Sequence, residues 1–97
     1  MASLQKTRQA EQDLIEIWRY TFEKWGETQA DAYLRKIEAC FEKIGKGTAP
    51  LKLLPDNVRY IRCEHHFIFL LMDSKPIVIA LLHEKMDMLA RLKKRLG

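Results

Sequence analysis

The chain has 97 residues, 47% hydrophobic and 31% charged: enough for one small core, and too apolar for an intrinsically disordered chain. No apolar stretch approaches the ~20 residues of a membrane span, and MASLQKTRQAEQ lacks the apolar centre of a secretory signal, so a cytoplasmic chain without membrane contact is expected. The net charge of +4 lies wholly in residues 51–97, with 9 Lys+Arg against 5 Asp+Glu, whereas residues 1–50 balance at 8 and 8. An excess so placed draws anionic partners to the second half, and RLKKRLG supplies four of its positives.

In chain order, ASLQKT is a weak, polar edge strand. Thr7 is placed to cap a helix through AEQDLIEIWRYTFEKW, with Glu11 and Asp13 in its first turns. Ala10, Leu14, Ile17, Trp18, Thr21 and Trp25 recur at three- and four-residue steps and predict the buried face, with both tryptophans in the core. Gly26 ends this helix. Ala30, Tyr33, Leu34, Ile37, Cys40, Phe41 and Ile44 mark a second one, closed by Gly45 and Gly47. So short a break predicts an antiparallel helical hairpin.

Gly45 to Asn57 reads as a loop with Lys46 and Lys52 solvated. The period then changes. VRYIRC, FIFLLM and PIVIALL are β-branched and aromatic runs, joined by CEHH and DSKP, which are short enough to demand antiparallel hairpins. In EKMDMLARLKKRL, Met86, Leu89, Leu92 and Leu96 predict a short C-terminal helix. The expected fold is α+β, one domain over residues 1–97: a helical hairpin packed on a small antiparallel sheet in the order β-α-α-β-β-β, then a short helix. Cys40 and Cys63 are expected to be free thiols, as in a reducing compartment.

Three histidines raise the question of metal or acid–base chemistry. If Glu64 and His65 turn the hairpin, His66 starts a strand opposite Cys63, and adjacent residues face opposite ways. Cys63, His65, His66 and His83 match no standard zinc spacing, so neither metal nor cofactor is expected. His83 is expected to fix the strand-to-helix turn through a hydrogen bond. The strands are apolar on both faces, whereas a sheet with one wet face alternates apolar with polar. The hairpin covers one face. The other needs the C-terminal helix, a second copy or another protein.

With AEQDLIEIWRYTFEKWGETQADAYLRKIEACFEKI, VRYIRCEHHFIFLLMDSKPIVIALLHEKMD and Arg91–Leu92 in this order, the chain resembles the ParE/RelE toxin superfamily of type II toxin–antitoxin modules (plasmid stabilisation proteins). Asp13–Leu14, Ile17–Trp18, Trp25–Gly26, Gln29–Ala30 and His83–Glu84–Lys85–Met86–Asp87 resemble the ParE branch. That resemblance implies a non-catalytic inhibitor of DNA gyrase, neutralised by a cognate ParD-like antitoxin, with no direct sequence-specific nucleic-acid binding. A homodimer and a toxin–antitoxin hetero-oligomer both stay open.

Two alternatives remain. A RelE-type, ribosome-dependent mRNA endonuclease would rely on His83, Glu84 and Arg62, although Arg59 and Arg62 alternate to opposite faces. A non-toxic partner-binding module of the same fold is the other. For the leading function, the expected target contacts are Met86, Leu89, Arg91, Leu92, Lys93, Lys94 and Arg95. The expected antitoxin contacts are Ile68, Leu70, Met72, Ile77, Ile79 and Leu81, with the edges of the hairpin, by strand addition or helix-in-groove packing.

Overall fold

The computed structural model describes residues 4–96. Its elements are β1 (Gln5–Lys6), α1 (Arg8–Trp25), α2 (Glu27–Gly45), β2 (Lys52–Leu53), β3 (Val58–Cys63), β4 (His66–Met72), β5 (Pro76–His83) and α3 (Met88–Leu96). The sheet order is β1-β5-β4-β3-β2. β1 runs parallel to β5 and every other pairing is antiparallel. The α+β expectation therefore holds, with one strand more than the sequence showed. β2 is only two residues long, inside the segment taken as loop, too short for a hydrophobic period to register. The expected edge strand is confined to Gln5–Lys6; Ala2 and Ser3 lie outside the described residues.

Thr7 caps α1 by accepting the Ala10 N–H at 3.1 Å. Gly26 ends it at φ 92, a conformation that would strain a side chain, and its N–H donates to Phe22 O at 2.8 Å. The inward face of α1 carries Ala10, Asp13, Ile17 and Thr21. Trp18 is half-buried, its Nε1–H donating to Asp31 Oδ1 at 2.9 Å. Trp25, expected in the core, is 64% exposed, because it is the last residue of α1 and stands beside the strand ends rather than over the sheet.

Two apolar layers sandwich the sheet. Ala10, Ile17, Ile37, Phe41 and Ile44 of the hairpin pack on Cys63, Ile68, Leu70, Val78 and Leu81. On the far face, Val58, Phe69, Ile79, Ala80 and Leu82 pack with Leu92 of α3. The C-terminal helix is thus the cover that the two-faced apolar strands require, over the β5 side. Fully buried side chains such as Ile37 and Ile68 each contribute about 1.5–3 kcal/mol of burial.

A β-bulge shifts the phase of β5. Phe69 faces Ala80 but Leu70 faces Val78, leaving Ile79 as the extra residue. Ile79 and Ala80 therefore share the α3 face, while Val78 and Leu81 share the hairpin face. The regular alternation expected for this strand fails at that point.

Cys40 and Cys63 form a disulfide, so the expectation of free thiols is corrected. The C-terminal half of α2 lies against the end of β3 and sets the two Cα atoms 6.6 Å apart, within bridging range.

Candidate functional site

Two surfaces gather the residues singled out in the sequence. The first is built on α3. Asp87 opens the helix by accepting the Ala90 N–H at 3.3 Å. Leu92 is buried and Met88 packs beside it. Arg95 reaches across to α1: its Nη1 donates to Asp13 Oδ2 at 2.9 Å and its Nη2 to Asp13 Oδ1 at 2.8 Å. Nη1 also donates to Ile79 O at 2.9 Å, and Asp13 Oδ2 accepts the Leu81 N–H at 3.0 Å.

β1 pairs only with Ile77 and Val78, so beyond it the edge of β5 is capped by this ion pair. The hydrogen bond to Asp13 holds the Arg95 pKa above its ordinary value, against the partial burial that pushes it down. Leu92 and Arg95, expected as target contacts, are thus consumed in holding α3 to the body of the chain. The surface that α3 presents outward is Leu89 (66% exposed) and Leu96, beside exposed Arg91, Lys93 and Lys94, while exposed Met86 lies before the helix in the β5–α3 connection.

The expected antitoxin contacts divide in the same way. Ile68, Leu70 and Leu81 are buried under the hairpin, and Ile79 is buried under α3. None of these four offers a surface to a partner, because the bulge and the two covering layers enclose them. Met72 and Ile77 are half-exposed. Tyr60, Phe67 and Leu71, which were not singled out, are the half-buried residues of the outer sheet face beside α3.

The second surface answers the question of the histidines. Cys63 pairs with His66 across the β3–β4 hairpin, and His66 pairs with His83 across β4–β5. The His66 and His83 rings meet edge to face, 5.0 Å between centroids. Tyr33 of α2 reaches the same corner. Its hydroxyl accepts the His65 N–H at 3.1 Å and lies 2.7 Å from His66 Nδ1. His65 Nδ1 is 2.8 Å from Glu84 Oε2, and Arg62 Nη2 pairs with Glu84 Oε1. His83 Nδ1 accepts the Lys85 N–H at 3.1 Å, which fixes the strand-to-helix turn as its position predicts.

Burial, aided by the neighbouring histidines, lowers the His66 pKa to about 4. Burial also raises that of Tyr33. The hydrogen bond from His65 holds Glu84 below its ordinary value. Of the ribonuclease candidates, Arg62 and Glu84 do meet, but the imidazole between them and the hairpin is that of His65, while His83 is engaged with the backbone of Lys85. Among the described residues, no three His, Cys, Asp or Glu side chains are grouped to hold a metal ion.

These side chains line a cleft of about 860 Å³. Glu16, Tyr20 and Trp25 of α1, with Gln29 and Tyr33 of α2, form one wall; His65, His66 and His83–Met86 form the other. Sequence reasoning missed Tyr33, taken as one more core position of α2, and Asp13, taken as a first-turn charge. For Asp13 a signal existed: it falls in phase with Ala10 and Ile17, so an acid there must find a partner inside.

The family model described as ParE toxin of type II toxin-antitoxin system, parDE, matches residues 4–88. The chain is 39% identical over 95 residues to Toxin ParE of Escherichia coli, covering 93% of this chain and 92% of that protein. It is 35% identical over 91 residues to Toxin ParE1 of Caulobacter vibrioides, covering 89% and 93%. A solved structure described as the chromosomal ParDE TA system from P. aeruginosa superposes with a TM-score of 0.71 over 86% of this chain and 96% of that one. At 19% identity, that likeness speaks for the fold.

Proposed function

Since the chain belongs to the ParE toxin family of type II toxin–antitoxin systems, we propose that it arrests growth by binding DNA gyrase without catalysing a reaction, and that a ParD-like antitoxin neutralises it. The observation that carries this proposal is the outward surface of α3. Leu89 and Leu96 leave apolar surface in water beside Arg91, Lys93 and Lys94, while Leu92 and Arg95 hold the helix in place. A fixed helix with an apolar and cationic outer face is suited to gripping an acidic or DNA-bound macromolecule, with the charges raising association rate more than affinity.

Binding is favoured over RNA cleavage by the state of the candidate catalytic groups. Glu84 is engaged by both His65 and Arg62, and its lowered pKa makes it a weak proton acceptor. Arg62 is drawn to Glu84 and to Glu64 O rather than held out for a phosphate.

For the antitoxin, the half-buried Tyr60, Phe67 and Leu71 supply an apolar strip beside α3, and Leu53 of edge strand β2 is 72% exposed. A segment that folds across this strip or adds to the β2 edge would shield it. The test is a gyrase supercoiling assay with the purified chain. Loss of supercoiling, restored by prior mixing with the antitoxin, is the expected result. Unimpaired supercoiling at toxin in molar excess over gyrase overturns the proposal.

A further inference from the structure

We propose that the Cys40–Cys63 disulfide is a redox-operated clasp: bonded, it pins the end of the β3–β4 hairpin to α2, and its reduction by a cellular dithiol frees that end while the chain stays folded. Three positions along one side of α2, Tyr33, Lys36 and Cys40, meet four consecutive residues of the hairpin end, Cys63 to His66. The covalent bond is the strongest of these ties. Lys36 Nζ and Glu64 Oε1 are 3.9 Å apart with side chains 60% and 42% exposed, a pairing of little worth in water. The Tyr33 hydroxyl adds the bond from the His65 N–H and the contact with His66 Nδ1. The end so held is strained. Glu64 takes φ 57, a left-handed conformation that a side chain disfavours and that persists where the surroundings impose it.

Both states of the pair are accommodated. Ile37, Phe41 and Ile44 anchor α2 on the sheet independently of the bond. Cys40 is partly exposed and Cys63 only 3% exposed, so an incoming thiolate meets Cys40 Sγ. The reductant is a dithiol of the thioredoxin class. As its first sulfur bonds to Cys40, the Cys40–Cys63 bond breaks, and Cys63 leaves as a thiolate that takes up a proton. The second thiol gives up its proton and closes on the first. Cys40 is released as a thiol, and the reductant departs as a disulfide, having supplied two electrons. Cys63 Sγ lies 3.6 Å from Lys36 O, so the proton gained on reduction has an acceptor in place and the buried thiol is not stranded. His65 and His66 move with the freed end, which loosens the wall they give the cleft. Arg62, its side chain 55% exposed, then becomes open to proteolysis beside it.

Leu92 and Arg95 hold α3 separately, so gyrase binding and the clasp stand or fall independently. The experiment follows amide hydrogen exchange by NMR, with and without dithiothreitol, at rising urea below the unfolding transition. The His65 N–H, bonded to the Tyr33 hydroxyl, and the Glu84 N–H, bonded to His65 O at 2.9 Å, report on the hairpin end. The Leu81 N–H, bonded to Asp13, reports on the body of the chain. With dithiothreitol, two thiols should titrate while the circular dichroism spectrum is kept. Exchange at His65 and Glu84 should rise at least about 10-fold, within the factor on the order of 100 that a bond across 23 residues supplies. It should also become independent of urea, the mark of local opening, while Leu81 keeps its urea dependence. Reoxidation should restore protection, and Cys40→Ser should match the reduced chain with or without dithiothreitol. Exchange at His65 and Glu84 that stays slow, or that keeps the urea dependence of Leu81, would make the bond a staple of the whole chain and overturn the clasp. So would a bond that resists dithiothreitol until the chain unfolds, or a reduced chain that has lost its fold.

Discussion

Replacing Arg95 with Met should destabilise the chain more than any other change in its basic tail. The Arg95 and Asp13 side chains are 19% and 10% exposed, and the guanidinium makes three hydrogen bonds, two to Asp13 and one to Ile79 O. Met keeps much of the aliphatic stem but leaves the Asp13 charge and the Ile79 carbonyl without that partner. Breaking a buried pair on one side costs about 3–5 kcal/mol; with some solvent reaching the arginine, about 2–4 kcal/mol is expected. For a domain of this length that is a fall in Tm of roughly 10–25 °C. Urea unfolding followed by circular dichroism measures it. Arg91→Met, on the exposed side of the same helix, should stay within about 0.5 kcal/mol of the wild type. Asp13→Leu combined with Arg95→Met should be less damaging than the sum of the single changes, because no charge is then stranded. An Arg95→Met protein as stable as Arg91→Met would refute the clasp at the β5 edge.

Neutralising the outward cations as Arg91→Ala, Lys93→Ala and Lys94→Ala, with Arg95 kept, should relieve growth arrest on induction while unfolding remains within about 1 kcal/mol of the wild type; undiminished arrest would remove α3 from the target surface. Breaking the disulfide with Cys40→Ala and Cys63→Ala should cost about 3 kcal/mol, from a sequence separation of 23 residues, in urea unfolding. Native, unreduced protein should show no reactive thiol, and two titrating thiols would contradict the pairing. His66 has a folded pKa of about 4, below the ordinary 6.5, so the unfolded chain takes up a proton first as pH falls. Stability should therefore decline from about pH 6.5 down to about 4 and level off below, by about 1–2 kcal/mol once solvent access to the ring is allowed for. His66→Gln should flatten that window, and an unchanged profile would refute the assigned cause.

The helices and the three long strands could be read from the sequence because each obeys one period, and Gly26, CEHH and DSKP punctuate them. The apolar character of both sheet faces was equally readable, and α3 meets part of that demand. What failed were the phases. Met86, Leu89, Leu92 and Leu96 look like one stripe, yet the helix starts at Met88 and its inward side is Met88, Leu92 and Arg95. Arg95 resembled its solvated neighbours because its partner, Asp13, lies 82 residues away. In β5, an extra residue at Ile79 reverses the alternation, and no local signal marks it. The convergence of His65, His66, His83 and Tyr33 rests on cross-strand register and on where α2 lands, neither of which a linear pattern carries.

Whether this chain grips a macromolecule or turns over a substrate is decided by dose. Increasing amounts of purified protein would be added to a fixed amount of gyrase, and separately to a translation extract carrying labelled mRNA. Supercoiling activity should fall in proportion to toxin and be lost only as toxin approaches or exceeds gyrase in molar amount, with the mRNA left whole. Progressive mRNA cleavage at trace toxin, with supercoiling untouched, would contradict that expectation.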